Sequence, residues 1–349
     1  MTARRPRPLA TAAAACTLAL VATACGTGSA TGETDTLTLG YFPNITHAPA
    51  LVGVENGILA DALGADVELD TQTFNAGPDA INALFAGEID ATFIGPNPAI
   101  NGWSESSGTA LHIIAGSTSR GAGLVARPGI ESVDDLEGTT ISTPQLGNTQ
   151  DVALRWWAQQ RGWEFDTEGG GDISIVPQGN SEIVQAFLTE EIDAAWVPEP
   201  HLSRLLIEGE GNLLVDEADE WADTDGEYVT THLIVNQDFL EAAPDLVAKL
   251  LSGHVETVAW INDNSEDAQT VANDHLEKIS GDRLDDAIVA SAFENLSFTT
   301  DPVAESLRGS AEHAEAVGLL EPVDLEGIYA LDLLNEELEK AGQEPVSGF

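Results

Sequence analysis

Apolar and polar positions along this chain follow two rhythms in turn, one with the period of a strand and one with the period of a helix. Positions 36–41, T-L-T-L-G-Y, alternate like a half-buried strand and run into the turn Phe42-Pro43-Asn44. A helix is predicted from near Thr46, whose hydroxyl is placed to cap it, with Pro49 in its first turn and Gly57 at its end. Residues 66–73 read as a second strand. Residues 74–78 then enter a helix capped by Asn75 or Gly77, with Ile81, Leu84 and Phe85 along one face. A strand at 91–94 delivers Gly95-Pro96-Asn97-Pro98, in which Asn97 carries an N-cap signature, and a fourth strand at 111–116 opens into a Gly/Ser loop at 117–123. Strand and helix alternating in this way predict a mostly parallel sheet with helices on both faces.

The alternation restarts near Thr139, with strands at 140–143 and 173–177, helices at 149–162 and 181–188, and a Gly-rich turn at 169–171. One stretch also comes back. A-L-F-A-G-E-I-D-A-T-F-I-G-P-N-P, from Ala83 to Pro98, is echoed by A-F-L-T-E-E-I-D-A-A-W-V-P-E-P, from Ala186 to Pro200, at a constant offset of 103 residues as far as Ile94 and Val197. Each copy reads as a helix end, an acidic turn, a short apolar strand and a Pro-rich exit. A unit built twice predicts two similar lobes. The β-branched run at 228–235 reads as the connection returning to the first lobe, and from Asp238 onwards the pattern is helical almost throughout.

In open α/β sheets, ligands bind outside the carboxyl ends of the strands, where helix N-termini offer unsatisfied N–H groups and a partial positive charge. The polar loops in that position are 41–47, 74–77, 95–98, 117–121, 145–149, 178–181 and 196–199. A small anionic head group is the natural guest of such junctions. Gly147-Asn148-Thr149-Gln150-Asp151 is the most informative, since Asn148 and Asp151 imitate a capping box and Gly147 lets a ligand near the backbone; a well-capped helix and nothing more is the competing reading. Arg120 is the basic residue of these loops, either an ion-pair partner of the ligand or a hinge residue paired with surface acids. Tyr41, Phe42, Phe74, Trp103 and Trp196 either line an apolar part of the pocket or fill the core. Glu199, in P-E-P, binds an amine or caps the next helix.

The seven histidines include no pair at i, i+4 and no metal motif, and no P-loop, nucleophile elbow or dinucleotide fingerprint occurs, so neither metal nor cofactor is expected. With 13 basic and 59 acidic residues the formal net charge is −46, which excludes nucleic acid as a partner. Scattered acid on a chain that is 43% apolar fits a folded protein suited to salty surroundings.

At the N-terminus, Arg4, Arg5 and Arg7 precede an Ala/Leu/Val-rich run too short to span a membrane, and V-A-T-A-C-G ends it at Cys25. Residues 1–24 therefore read as an export signal and 25–35 as a flexible tether. The small residues before Cys25 are similar to the lipobox of bacterial lipoproteins, although Ala22 stands where Leu is usual, and lipidation there anchors the chain to the outer face of the membrane. Cys16 lies in the signal, so the mature chain has no thiol pair to close a disulfide.

G-Y-F-P-N-I-T-H-A-P-A, F-N-A-G-P, G-E-I-D-A-T-F-I-G-P-N-P, T-P-Q-L-G-N-T-Q-D-V-A-L-R and W-V-P-E-P together resemble the substrate-binding lipoproteins of ABC importers for aliphatic sulfonates, nitrate and taurine. The resemblance covers residues 36–341 and implies a two-lobed type II periplasmic-binding-protein fold that closes on its ligand and docks, as a monomer, on a membrane permease. It implies lobe one at 36–126, lobe two at 127–228 and a helical return at 229–349, with crossings near 124–128 and 227–235. It also implies that Asn44, Asn75, Asn97, Ser117, Thr118, Asn148 and Thr149 hold an anionic head group, beside the candidates Tyr41, His47, Arg120, Trp196 and Glu199. A thiamine-precursor pyrimidine is the alternative guest. Enzymes of this fold, a desulfinase and a pyrimidine synthase, resemble the chain less, for they need cysteine where the mature chain has none beyond Cys25.

Overall fold

A computed structural model describes residues 36–165 and 170–349; the export signal, the tether and Cys25 lie outside the described residues. The chain begins with β1 (Thr36–Tyr41), a 3₁₀ turn at Ile45–His47, α1 (Ala48–Glu55), α2 (Ile58–Leu63), β2 (Glu68–Thr73), α3 (Gly77–Ala86), β3 (Ala91–Ile94), α4 (Pro96–Glu105) and β4 (Leu111–Arg120). A second series follows: β5 (Ala122–Ala126), β6 (Thr140–Pro144), α5 (Thr149–Gln160), β7 (Ser174–Gln178), α6 (Asn180–Leu188), β8 (Ala194–Pro198), α7 (His201–Ile207) and β9 (Asn212–Asp216). The chain returns through β10 (Val229–Asn236), α8 (Gln237–Ala242), α9 (Pro244–Asp263), α10 (Ser265–Ser280), α11 (Asp286–Asn295), β11 (Leu296–Phe298), α12 (Ala304–Ala316) and α13 (Asp332–Lys340).

Two sheets result, ordered β11-β4-β10-β3-β1-β2 and β7-β6-β8-β5-β9. Each has a parallel framework into which one strand arriving from the other lobe is inserted, β10 antiparallel between β3 and β4 and β5 antiparallel between β8 and β9, and the short edge strand β11 also runs antiparallel to β4. Of residues 228–235, read as the returning connection, 229–235 belong to the central strand β10. Alternate side chains go to opposite faces. In the first sheet Leu39 and Phe93 face α1, α9 and α10, while Ile94, Ile113 and Ile234 face α3, α4 and α12. In the second, Leu124 and Trp196 face α5, while Val125, Ala195 and Val197 face α6 and α7.

The two copies of the repeat become β3 and β8, and the same carboxylate clasps each to its neighbour. Asp90 accepts from the Thr38 N–H at 2.8 Å and Asp193 from the Thr140 N–H at 2.9 Å. The backbone bonds beside them match as well, Asp90 N–H donating to Thr38 O and Asp193 N–H to Thr140 O. Repetition of I-D thus encodes a strand-to-strand clasp, not a surface charge.

The first crossing is earlier than expected. Strand β4 continues through Ser117, Thr118 and Ser119 to Arg120, and β5 already belongs to the second sheet, so the chain changes lobes at Arg120–Gly121 and not after Ala126. The second crossing is made by residues 217–228, before β10 begins. Arg120 and Gly121 both take positive φ, 68° and 75°. A Cβ at Gly121 would lie 2.2 Å from Cδ2 of Leu296 and 3.4 Å from Cγ of Glu199, in a backbone region that disfavours L side chains. Gly121→Ala is accordingly expected to destabilise the fold by about 2–4 kcal/mol, from left-handed strain and overpacking together. Urea unfolding of the variant beside wild type measures it, and an unchanged midpoint would show that the crossing tolerates a side chain.

Candidate functional site

The carboxyl ends of the parallel strands in both sheets face one cleft, and there the lobes enclose a cavity of about 40 Å³. The first lobe lines it with Phe42, Asn44, Thr46, His47, Asn75 and Gly95, and Thr230 of β10 completes that wall. Pro144, Asn148, Thr149, Gln150, Asn180 and Pro198 form the wall of the second lobe. None of these carries a formal charge unless His47 is protonated. The lobes approach closely here, for a Cβ at Gly95 would stand 2.9 Å from Thr149 Oγ1 across the cleft.

Several groups have their roles fixed by what holds them. Asn44 caps the 3₁₀ turn, its Oδ1 accepting from both Thr46 N and Thr46 Oγ1 at 2.9 Å, which leaves Nδ2 as its donor. Thr46 was expected to cap this segment, and instead it is the capped residue. The ring of His47 stacks on Phe42 at 4.6 Å, and its Nδ1 accepts from the Phe42 N–H at 3.3 Å. That bond needs an unprotonated Nδ1 and makes Nε2–H the ring's donor. Complete burial pushes the imidazole down to about 3, so His47 is neutral at ordinary pH.

Opposite stands the N-terminus of α5. Asn148 is its N-cap residue, but the side chain makes no capping bond, and Asp151 closes no capping box. Asp151 is fully buried and braces the loop. It accepts from Thr143 Oγ1 at 2.7 Å, from the Gly147 N–H at 2.9 Å and from Arg155 Nε at 3.0 Å. With three donors, one of them cationic, the desolvated carboxylate is compensated and the loop 145–149 is pinned to β6. Thr149 Oγ1 is buried without a partner, its residue 7% exposed, and Asn180 Oδ1 at the start of α6 is likewise buried and unpartnered. Both line the cavity.

Asn44, His47, Asn75, Asn148 and Thr149 are thus brought together with the aromatic candidate Phe42; the other sequence candidates are not among the lining residues. Tyr41 turns beneath α10, its hydroxyl 2.9 Å from His275 Nε2, while His275 Nδ1 meets Glu55 at 3.0 Å. Asn97 lies inside α4 and donates from Nδ2 to Ser310 O at 3.2 Å. Ser117, Thr118 and Arg120 belong to β4, not to a loop; Thr118 supports the site from behind, donating to Thr46 O at 2.7 Å. Trp196 packs against Trp157 in the second core and donates to Glu217 at 2.7 Å. Glu199 is fully buried, accepting from Ser203 N and Oγ and, at 2.7 Å, from Asn295 Nδ2 of α11, so it ties the lobes together. Burial drives its carboxyl above the usual range. Asn180, Gln150 and Thr230 were missed as site residues, although Asn180 lies in a polar loop already marked at a strand-to-helix junction. Among the described residues no cluster of ligands for a metal ion occurs, and no helix is long and apolar enough to cross a membrane.

Comparison with known proteins places this geometry. A family profile described as the NMT1-like family matches residues 30–274. A binding protein of Brucella abortus (strain 2308) is 29% identical over 180 residues, 47% of this chain and 53% of the relative, so the chain spans about half the length of the curated relatives it matches. The alkanesulfonate-binding protein of Xanthomonas axonopodis pv. citri bound to MOPS superposes with a TM-score of 0.70 at 18% identity, over 86% of this chain and 99% of the other. The periplasmic nitrate-binding protein of Synechocystis PCC 6803 does so with a TM-score of 0.72 at 16% identity, over 90% and 91%. At identities this low the superpositions establish the shared two-lobed fold alone.

Beside the site, on the crossing segment, Glu217 is held by the indoles of Trp196 and Trp221, and burial raises its carboxyl from 4.5 to about 7. A carboxyl raised on folding favours the native state below its unfolded value and loses that contribution as pH climbs through the folded one. Relative to Glu217→Gln, wild-type stability should therefore fall by about 3 kcal/mol between pH 4.5 and 7.5. Urea titrations at the two pH values test this; parallel profiles for the two proteins would mean that Glu217 does not titrate there.

Proposed function

The chain belongs to the NMT1-like family, and from that footing we propose that it is the extracytoplasmic receptor of an ABC import system. In this reading it closes its lobes on a small organic anion, an aliphatic sulfonate, and delivers it to a membrane permease. It works as a monomer, held to the outer face of the membrane by lipid at Cys25. The observation that carries the reading is a cleft without a charged side chain whose groups of settled role, Asn44 Nδ2, His47 Nε2–H and the uncapped start of α5, are donors, with the unpartnered Thr149 hydroxyl and Asn180 amide beside them. Acceptor-rich oxyanions fit such a lining, stabilised by oriented dipoles where no counter-ion stands. Nitrate and taurine present the same chemistry. A cationic or pyrimidine guest leaned on Glu199, which is already bound to Ser203 and Asn295.

Isothermal calorimetry with alkanesulfonates, taurine, nitrate and thiamine-precursor pyrimidines tests the reading, and silence from every anion overturns it. In the same experiment Thr149→Val should weaken sulfonate binding about tenfold or more, because a hydrogen bond to a charged group is lost. Its thermal midpoint should hold or rise, since the hydroxyl has no partner within the protein. Because the chain is strongly negative overall, with a formal charge of −46, raising salt from about 0.1 to 1 M should leave anion binding unchanged or tighter. Clear weakening would mean that an arginine or lysine supplies the attraction.

A further inference from the structure

Away from the cavity the lobes meet again through aromatic rings. Trp156, on α5 of the second lobe, stacks on His313, on α12 of the first, with ring centroids 3.8 Å apart and planes at 20°. We propose that this stack is a latch that holds the two lobes closed and that it acts on the ligand site through helix α5.

The contact is built from both sides. Trp221, on the second crossing segment, approaches His313 at 5.1 Å, and a Cβ at Gly309, one turn before His313, would stand 2.7 Å from the Trp221 ring. Gln159 Nε2 donates to Ala316 O at 3.1 Å and joins the same two helices one turn further along. Each helix is fixed to its own lobe without the stack. Leu307 and Ala311 of α12 are buried in the first lobe and Ser310 O accepts from Asn97, whereas Leu154 and Trp157 of α5 fill the second core. Trp156 belongs to neither core and is only partly buried. A large aromatic side chain that neither lobe uses internally, resting on a ring of the opposite lobe, stabilises their approach.

Helix α5 makes the latch relevant to binding. It presents Thr149 to the cavity at its first residue and Trp156 to His313 seven residues later, about 10 Å along the axis. Because Asp151, Arg155 and Trp157 seat the helix in the second lobe, a movement of that lobe withdraws Thr149 and unstacks Trp156 in the same step. The apparent affinity for any guest then scales with the fraction of molecules that are closed. Nothing here depends on which guest the cavity takes.

Small-angle X-ray scattering of the full chain without added ligand is the test. Trp156→Ala and His313→Ala should each lower the closed-to-open ratio about threefold to tenfold and raise the radius of gyration. His313→Phe, which keeps a flat ring in the stack, should restore the wild-type value. Thermal unfolding confirms that each variant is folded, and a stack with a purely structural role would shift that midpoint without changing the radius. Scattering curves from Trp156→Ala and His313→Ala that superpose on wild type would overturn the latch, as would a His313→Phe variant as open as His313→Ala.

Discussion

The chain passes between its two sheets twice, and most of the structure follows from that constraint. Each passage delivers a strand that must run against its new neighbours: β5 enters between β8 and β9, and β10 between β3 and β4. The parallel strands of both sheets are thereby left with their carboxyl ends turned to the same cleft, where the helix N-termini gather. Around the first passage the packing is tight, with Gly121 against Leu296 and the Glu199 carboxylate held by Asn295.

Charge is kept out of the cavity lining. Three carboxylates near the cleft are buried, and each is satisfied within the protein: Asp151 by Thr143, Gly147 and Arg155, Glu199 by Ser203 and Asn295, and Glu217 by two indoles. A buried carboxylate without such partners would cost several kcal/mol of desolvation. What remains exposed to the cavity are neutral dipoles, some aimed by neighbours, as the Phe42 N–H sets the tautomer of His47, and some unpartnered, as at Thr149 and Asn180.

The sequence disclosed the architecture through local signals. The alternation of strand and helix and the repeat at a spacing of 103 residues correspond to two sheets with equivalent strands β3 and β8. It disclosed less of the site, because the missing information was distant in the chain. S-T-S-R at 117–120 has the composition of a loop, yet it is held as strand by β10 on one side and β11 on the other. Glu199 stands beside prolines at a strand end, and its partner Asn295 lies 96 residues away. Trp196 was the avoidable error: period-two alternation along β8 sends it to the α5 face, opposite Val197. Asn148 and Thr149 were legible because a helix start needs only neighbouring residues.

The paired clasps of Asp90 and Asp193 separate what the two halves of the molecule share from what they do not. Each fixes its strand to the sheet at the amino end, by a contact that involves no side chain at the carboxyl end. The turn that follows plays no part in that clasp, so the two copies can differ there while the strands stay equivalent. One copy now ends in Gly-Pro-Asn and lets its neighbour's threonine come close, while the other ends in Pro-Glu-Pro and grips a distant helix. Two copies of one sequence pattern thus end differently, at the edge of the cavity in one lobe and in a mechanical joint between lobes in the other.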